Sequence, residues 1–280
     1  MHTLITADGV ELYVKDWGAG RPVILIHGWP LSADSWDDQA MAIADAGYRV
    51  IAYDRRGFGR SSQPWSGYDY DTLTDDLAAV IAQTGAEGAT LVGFSMGGGE
   101  VARYMSRHGA KSVAQAILVS SILPFRLQTP DNPGGSTPEA NAETARALKE
   151  DRPEFLEGFF KHFFGVSLLT QPVSAELLDW ARSVAMQASL KATLACLKSF
   201  STTDFRSDLP FFQVPTLFIH GTEDQIVPME SSSRLAAQSI TRSTLLAYEG
   251  APHGLWATHK DRLTQDIVNF LNACETALGL

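Results

Sequence analysis

The chain has 280 residues, 45% of them apolar and 19% charged, a balance that excludes wholesale disorder and fits one large globular domain or two small ones. Thirty-two acidic against 22 basic residues leave a net charge of −10, a field that repels a phosphate backbone and argues against nucleic-acid binding. No apolar run reaches the roughly 18 residues of a membrane span, and no basic segment leads into an apolar one at the N-terminus, so a soluble cytoplasmic protein is expected.

From the N-terminus, Val10 to Trp17 alternates with period two, and Pro22 to Ile26 is a continuous apolar run ending at His27-Gly28. A helical stretch follows from Ser32 to Ala46, closed by Gly47, and then a short strand, Tyr48 to Tyr53. Asp71 to Ala82 has helical apolar spacing and opens with Asp and Thr as candidate caps. Ala89 to Phe94 reads as a buried strand running into a Gly-rich turn and a helix toward His108; Val113 to Ser120 supplies the next strand. Apolar strands separated by helices predict a mostly parallel sheet covered on both faces.

The middle of the chain has another character. From Leu123 to Asp208 no strand pattern stands out; after a loop-like TPDNPGGSTPEA come helical patterns at Ala140 to Lys149, Glu154 to Phe164, Ala175 to Met186 and Leu190 to Phe200. Strand and helix then alternate again: Pro215 to His220, Glu230 to Gln238, Ser243 to Tyr248 and Lys260 to Ala277. The expected division is a core from 1–122 and 209–280, with 123–208 as a helical cap over one end of the sheet. Cys196 and Cys274 fall in helix-like text without metal-ligand spacing, and both are expected to be small buried hydrophobes.

Gly93-Phe94-Ser95-Met96-Gly97 fits G-x-S-x-G, and it directly follows a strand and precedes a helix, the setting of a nucleophile elbow. A serine on so sharp a turn takes strained dihedrals, and side chains two positions to either side would collide, hence glycine at both. The helix from Met96 aims free N–H groups at the charge that develops in acyl transfer.

With these residues the chain resembles the α/β-hydrolase superfamily, and within it the cofactor-free bacterial haloperoxidases and aryl esterases (perhydrolases). The resemblance runs over nearly the whole chain. It rests on His27-Gly28-Trp29-Pro30, Asp54 to Ser61, Gly93 to Gly99, His220 to Asp224 and Gly250 to Gly254. It implies an α/β-hydrolase fold and the triad order Ser, acid, His. That order makes His253, in the loop before the last helix, the general base; His220 is the rival, and His27 reads as a strand-end residue bonded to backbone. Asp224 and Glu223 both follow the strand ending at His220, and the resemblance assigns the orienting acid to Asp224. Asp54 reads as part of a structural turn. The family pattern places the oxyanion hole at the backbone N–H groups of Met96 and Trp29.

Serine as nucleophile implies an acyl-enzyme on small esters, resolved by water or by hydrogen peroxide. Pro30 bears on that choice, because proline restricts the backbone of its predecessor, and a fixed Trp29 carbonyl would accept the second O–H of peroxide. The expected pocket is compact and apolar, walled by Trp29, Pro30, Phe94, Phe159, Phe163 and Ile226, with Phe159 and Phe163 on one helix face. No cofactor and no metal is implied, since H-E-x-x-H and clustered His/Cys patterns are lacking, and the GFGRSS run has no Walker lysine. Similar enzymes often form symmetric homo-oligomers. The alternatives are a plain carboxylesterase, a lactamase or a carbon–carbon bond hydrolase on the same triad, or a non-catalytic scaffold of this fold.

Overall fold

A computed structural model describes residues 2–278. Eight strands form one sheet: β1 His2–Ile5, β2 Glu11–Gly18, β3 Pro22–Ile26, β4 Arg49–Tyr53, β5 Ala89–Phe94, β6 Val113–Val119, β7 Thr216–Gly221 and β8 Ser243–Tyr248. Their spatial order is β1-β2-β4-β3-β5-β6-β7-β8, antiparallel for the first two pairings and parallel from β4 onward. The sequence patterns anticipate every strand except β1, whose four residues show little periodicity and are held by pairing with β2, His2 opposite Val14.

The inner strands are apolar on both faces because both are covered. In β3, Val23 and Leu25 enter one core cluster while Ile24 and Ile26 enter the other, and Val50 and Ala52 of β4 divide from Ile51 and Tyr53 in the same way. Between the strands run α1 Asp37–Asp45, α2 Tyr70–Thr84 and α3 Met96–Arg107, followed late in the chain by α8 Ser233–Ser239, α9 Leu255–Thr258 and α10 Lys260–Leu278. Helix α2 begins earlier than expected: Asp69, not Asp71, caps it by accepting the Thr72 N–H at 3.0 Å, and Gly85 at φ +63° ends it.

Four helices lie between β6 and β7: α4 Pro138–Glu150, α5 Arg152–Phe163, α6 Ala175–Gln187 and α7 Leu190–Thr202. Each starts at a side-chain cap, Thr137, Asp151, Ser174 and Ser189 respectively, and the first two carry proline in the opening turn. Cys196 is buried in α7 with a free thiol, whereas the Cys274 side chain lies outside the described residues. No helix among the described residues is long and apolar enough to cross a membrane.

The strand order locates the site. From β3 the chain moves to β4 on one side and then to β5 on the other, so a crevice opens between the C-terminal ends of β3 and β5. Trp29 follows β3 and Ser95 follows β5. The ends of β7 and β8 deliver Asp224 and the His253 loop to the same edge.

Candidate active site

Ser95 stands between β5 and α3 at φ 53°, ψ −115°, a conformation few non-glycine residues adopt. Neighbouring backbone over-determines it: the Ser95 N–H donates to the Val119 carbonyl (2.9 Å) and its own carbonyl accepts the Gly98 N–H (3.0 Å). The flanking glycines are required by close approach. A Cβ on Gly93 would lie 2.6 Å from the Gly97 carbonyl oxygen, and one on Gly97 2.7 Å from that of Ile26.

Ser95 Oγ lies 3.0 Å from His253 Nε2, and His253 Nδ1 lies 2.6 Å from Asp224 Oδ2. Oγ–H donates to Nε2, and Nδ1–H donates to the carboxylate. The imidazole is packed between two rings, Phe94 at 5.1 Å and Phe163 edge-on at 4.9 Å between centroids. Its loop is pinned from both sides: Ser120 Oγ donates to the His253 carbonyl (3.1 Å), and the Gly254 N–H donates to the Phe163 carbonyl at the end of α5 (2.9 Å).

Asp224 is buried and saturated. Oδ1 accepts the Ile226 and Val227 N–H groups at 2.9 and 2.8 Å, while Oδ2 accepts His253 and, at 3.0 Å, Nε2 of His220. Burial opposes its charge, but the two imidazoles outweigh that penalty and hold the carboxyl far below the usual carboxylate range. His220 therefore shares the acid and does not contact the serine; its other nitrogen meets Ser233 Oγ at 2.7 Å. His27 accepts the Arg55 N–H at 3.0 Å, and burial pushes its pKa well down. Asp54 accepts the N–H groups of Ala33 and Arg60, both at 2.8 Å, and so organises a turn.

The amides of Met96 and Gly97 open α3 and precede its first intrahelical bonds. Trp29, which is joined to Pro30 by a cis peptide bond, is held by a hydrogen bond from Nε1 to the Thr193 carbonyl (3.0 Å) and by edge contacts with Phe159 and Phe200. Beneath this loop lies an ion pair that sequence reasoning missed. Arg55 Nε donates to Glu100 (2.7 Å), its Nη2 to the His27 carbonyl (2.7 Å), and Tyr53 hydroxyl to Glu100 (2.9 Å), all fully buried. Glu100→Gln leaves the Arg55 charge uncompensated and is expected to cost about 3–5 kcal/mol of stability, read from denaturant midpoints.

Ser95, Met96 and His253 open onto a cavity of about 500 Å³. Trp29, Phe159 and Ile226 line it as anticipated, joined by Phe155, Phe200, Leu197 and Ile122. Phe94, Phe163 and Pro30 do not. Phe94 and Phe163 are completely buried behind His253, because the last turn of α5 docks on the His253 loop; Pro30 is buried in the turn after β3. On α5 the ring sharing the cavity face with Phe159 is thus Phe155, four residues before it, in place of Phe163, four after. Among the described residues no three His, Cys, Asp or Glu side chains converge as a metal site.

A profile of the alpha/beta hydrolase fold matches residues 21–259. The chain is 41% identical to a non-heme chloroperoxidase of Kitasatospora aureofaciens over 95% of its length and 98% of that protein's. It is 39% identical to a bifunctional esterase/perhydrolase of Acinetobacter calcoaceticus over 98% of its length and all of that protein's. A bromoperoxidase crystal structure from Bacillus anthracis superposes with a TM-score of 0.94 at 43% identity, covering 97% of this chain and 99% of that one. With this strand order, the serine elbow after β5 and matches over almost its whole length, the chain belongs to the α/β-hydrolase family and is an enzyme of that fold.

Proposed function

We propose that the protein is a serine esterase acting on small esters through an acyl-enzyme, which either water or hydrogen peroxide resolves. The observation that carries this reading is the unbroken hydrogen-bond chain from Ser95 through His253 to Asp224 at the wall of a largely apolar cavity.

Ser95 Oγ attacks the ester carbonyl as His253 takes its proton. The developing oxyanion is met by the Met96 and Trp29 amides, and collapse expels the alcohol, which receives the proton from His253. Asp224, kept ionised by its four donors, holds Nδ1 protonated so that Nε2 faces the serine as an acceptor. Water then regenerates the enzyme and releases the acid; hydrogen peroxide releases a peracid instead. The peracid oxidises halide in free solution, returning carboxylate and hypohalous acid, so no halide site is required. Residues 123–208 act as the cap, since α4, α5 and α7 supply much of the cavity wall.

Hydrolysis of p-nitrophenyl acetate tests the first half, and bromide-dependent bromination with added acetate and peroxide tests the second. Activity in neither assay would sink the reading. Pro30 is expected to favour peroxide: Pro30→Leu lowers the perhydrolysis-to-hydrolysis ratio by about fivefold, the worth of one neutral hydrogen bond in the transition state. An unchanged ratio contradicts that role.

A further inference from the structure

Acyl transfer leaves one cluster in the cavity wall unused. Arg126, in the segment after β6, lines the same cavity as Ser95, and so do Ser136 and Asn141. The three are linked: the Ser136 N–H donates to the Arg126 carbonyl (2.6 Å), and Ser136 Oγ donates to Asn141 Oδ1 (3.1 Å).

The guanidinium is under-used. Of its five N–H donors, one is committed, from Nη1 to the Ile226 carbonyl at 2.7 Å. Its Nε is shielded from solvent without an acceptor, and the Nδ2 of Asn141 is in the same condition. No carboxylate pairs with Arg126 among the described residues. Asp224, whose charge reaches it, has its oxygens filled by two imidazoles and two amides. Glu154 lines the cavity from the exposed side of α5 and makes no ion pair with it. Burial pulls the arginine's pKa below its ordinary value, although a guanidinium stays charged near neutrality.

Arg126 is half-buried with its Nε shielded from water. A charge partly withdrawn from water and left without a counter-ion is costly, and a planar fork of donors matches a carboxylate better than any neutral group. We propose that Arg126, assisted by Asn141, selects esters that carry a second, ionised carboxylate remote from the scissile bond. This rests on the acyl-transfer reading of the cavity and narrows its substrate class from small neutral esters to half-esters and acylated acids.

The test compares charged and neutral substrates of equal shape. One pair carries the charge on the acyl half: the p-nitrophenyl half-ester of adipic acid against its terminal carboxamide. The other carries it on the leaving half: 4-acetoxybenzoate against 4-acetoxybenzamide. In the wild-type protein, kcat/KM for the carboxylate should exceed that for the carboxamide by about 10- to 100-fold in at least one pair, the range of a charge-assisted hydrogen bond. The responding pair identifies the half that Arg126 holds. Arg126→Leu should bring that ratio to one or below, and Arg126→Lys should leave part of it. If the leucine variant does not fold, competitive inhibition of the wild type by adipate over adipamide carries the same discrimination. Ratios of one or less in both pairs, or a preference that survives in Arg126→Leu, overturn the inference. Ser95-dependent turnover of p-nitrophenyl acetate separates the cases: present, it shows that carboxylate selection alone has failed; absent, the acyl-transfer reading falls as well.

Discussion

Ser95→Ala is expected to lower kcat for p-nitrophenyl acetate by about 10⁴- to 10⁶-fold, the loss that follows removal of a nucleophile acting as one unit with its base. The fold should survive, because the elbow is held by backbone hydrogen bonds to Val119 and Gly98 and by the two flanking glycines, none of which involves the hydroxyl. Peroxide-dependent bromination should fall in parallel, since both outcomes pass through the same acyl-enzyme. Matched losses in stopped assays on folded protein support the shared intermediate. Bromination that persists while esterase activity vanishes would place peroxide chemistry elsewhere on the protein.

The second large effect belongs to the acid. Asp224→Asn should cost about 10⁴-fold in kcat, because an amide cannot reproduce what this carboxylate does. Its oxygen would still accept the Ile226 and Val227 amides, which leaves the NH₂ facing both imidazoles. His253 would then accept at Nδ1 and carry its proton on Nε2, pointing at Ser95 with nothing to take up. His220 would face a donor with its own donor, so some stability goes as well. The pH dependence follows from the depressed folded pKa. Stabilisation by the ionised carboxylate is fully present above the unfolded carboxyl value of about 4 and is lost only as pH falls through the lower folded value. The stability gap between wild type and Asp224→Asn should therefore hold across the neutral range and close on strong acidification, as denaturation at stepped pH would show. For the same reason, the acid limb of the pH–rate profile is not the titration of Asp224.

The parts of the site legible in the sequence are those written in local steric rules. Gly93 and Gly97 announce the elbow because a Cβ at either position meets backbone, and a strand followed at once by a helix leaves few other uses for the serine between them. Chain order within the resemblance points to His253 and Asp224, and the fold sets His253 Nε2 3.0 Å from Ser95 Oγ and its Nδ1 2.6 Å from Asp224 Oδ2. Phe159 shows where local rules stop. Helical spacing groups it equally with Phe155 and with Phe163, and only the docking of the last turn of α5 on the His253 loop decides that Phe163 goes behind the imidazole while Phe155 faces the cavity. Arg126 was invisible for a related reason. An arginine in a loop reads as solvated, and its lack of a counter-ion is a property of what fails to surround it in three dimensions. The Arg55–Glu100 pair, 45 residues apart in the chain, has no local signature at all.

A serine-directed aryl phosphonate, followed by intact-mass measurement and peptide mapping, tests the central assignment most directly. One adduct per chain on the peptide containing Ser95, formed with loss of esterase activity and absent from Ser95→Ala, is the predicted result. Inactivation with the label on a different peptide, or full activity after Ser95 is labelled, would contradict it.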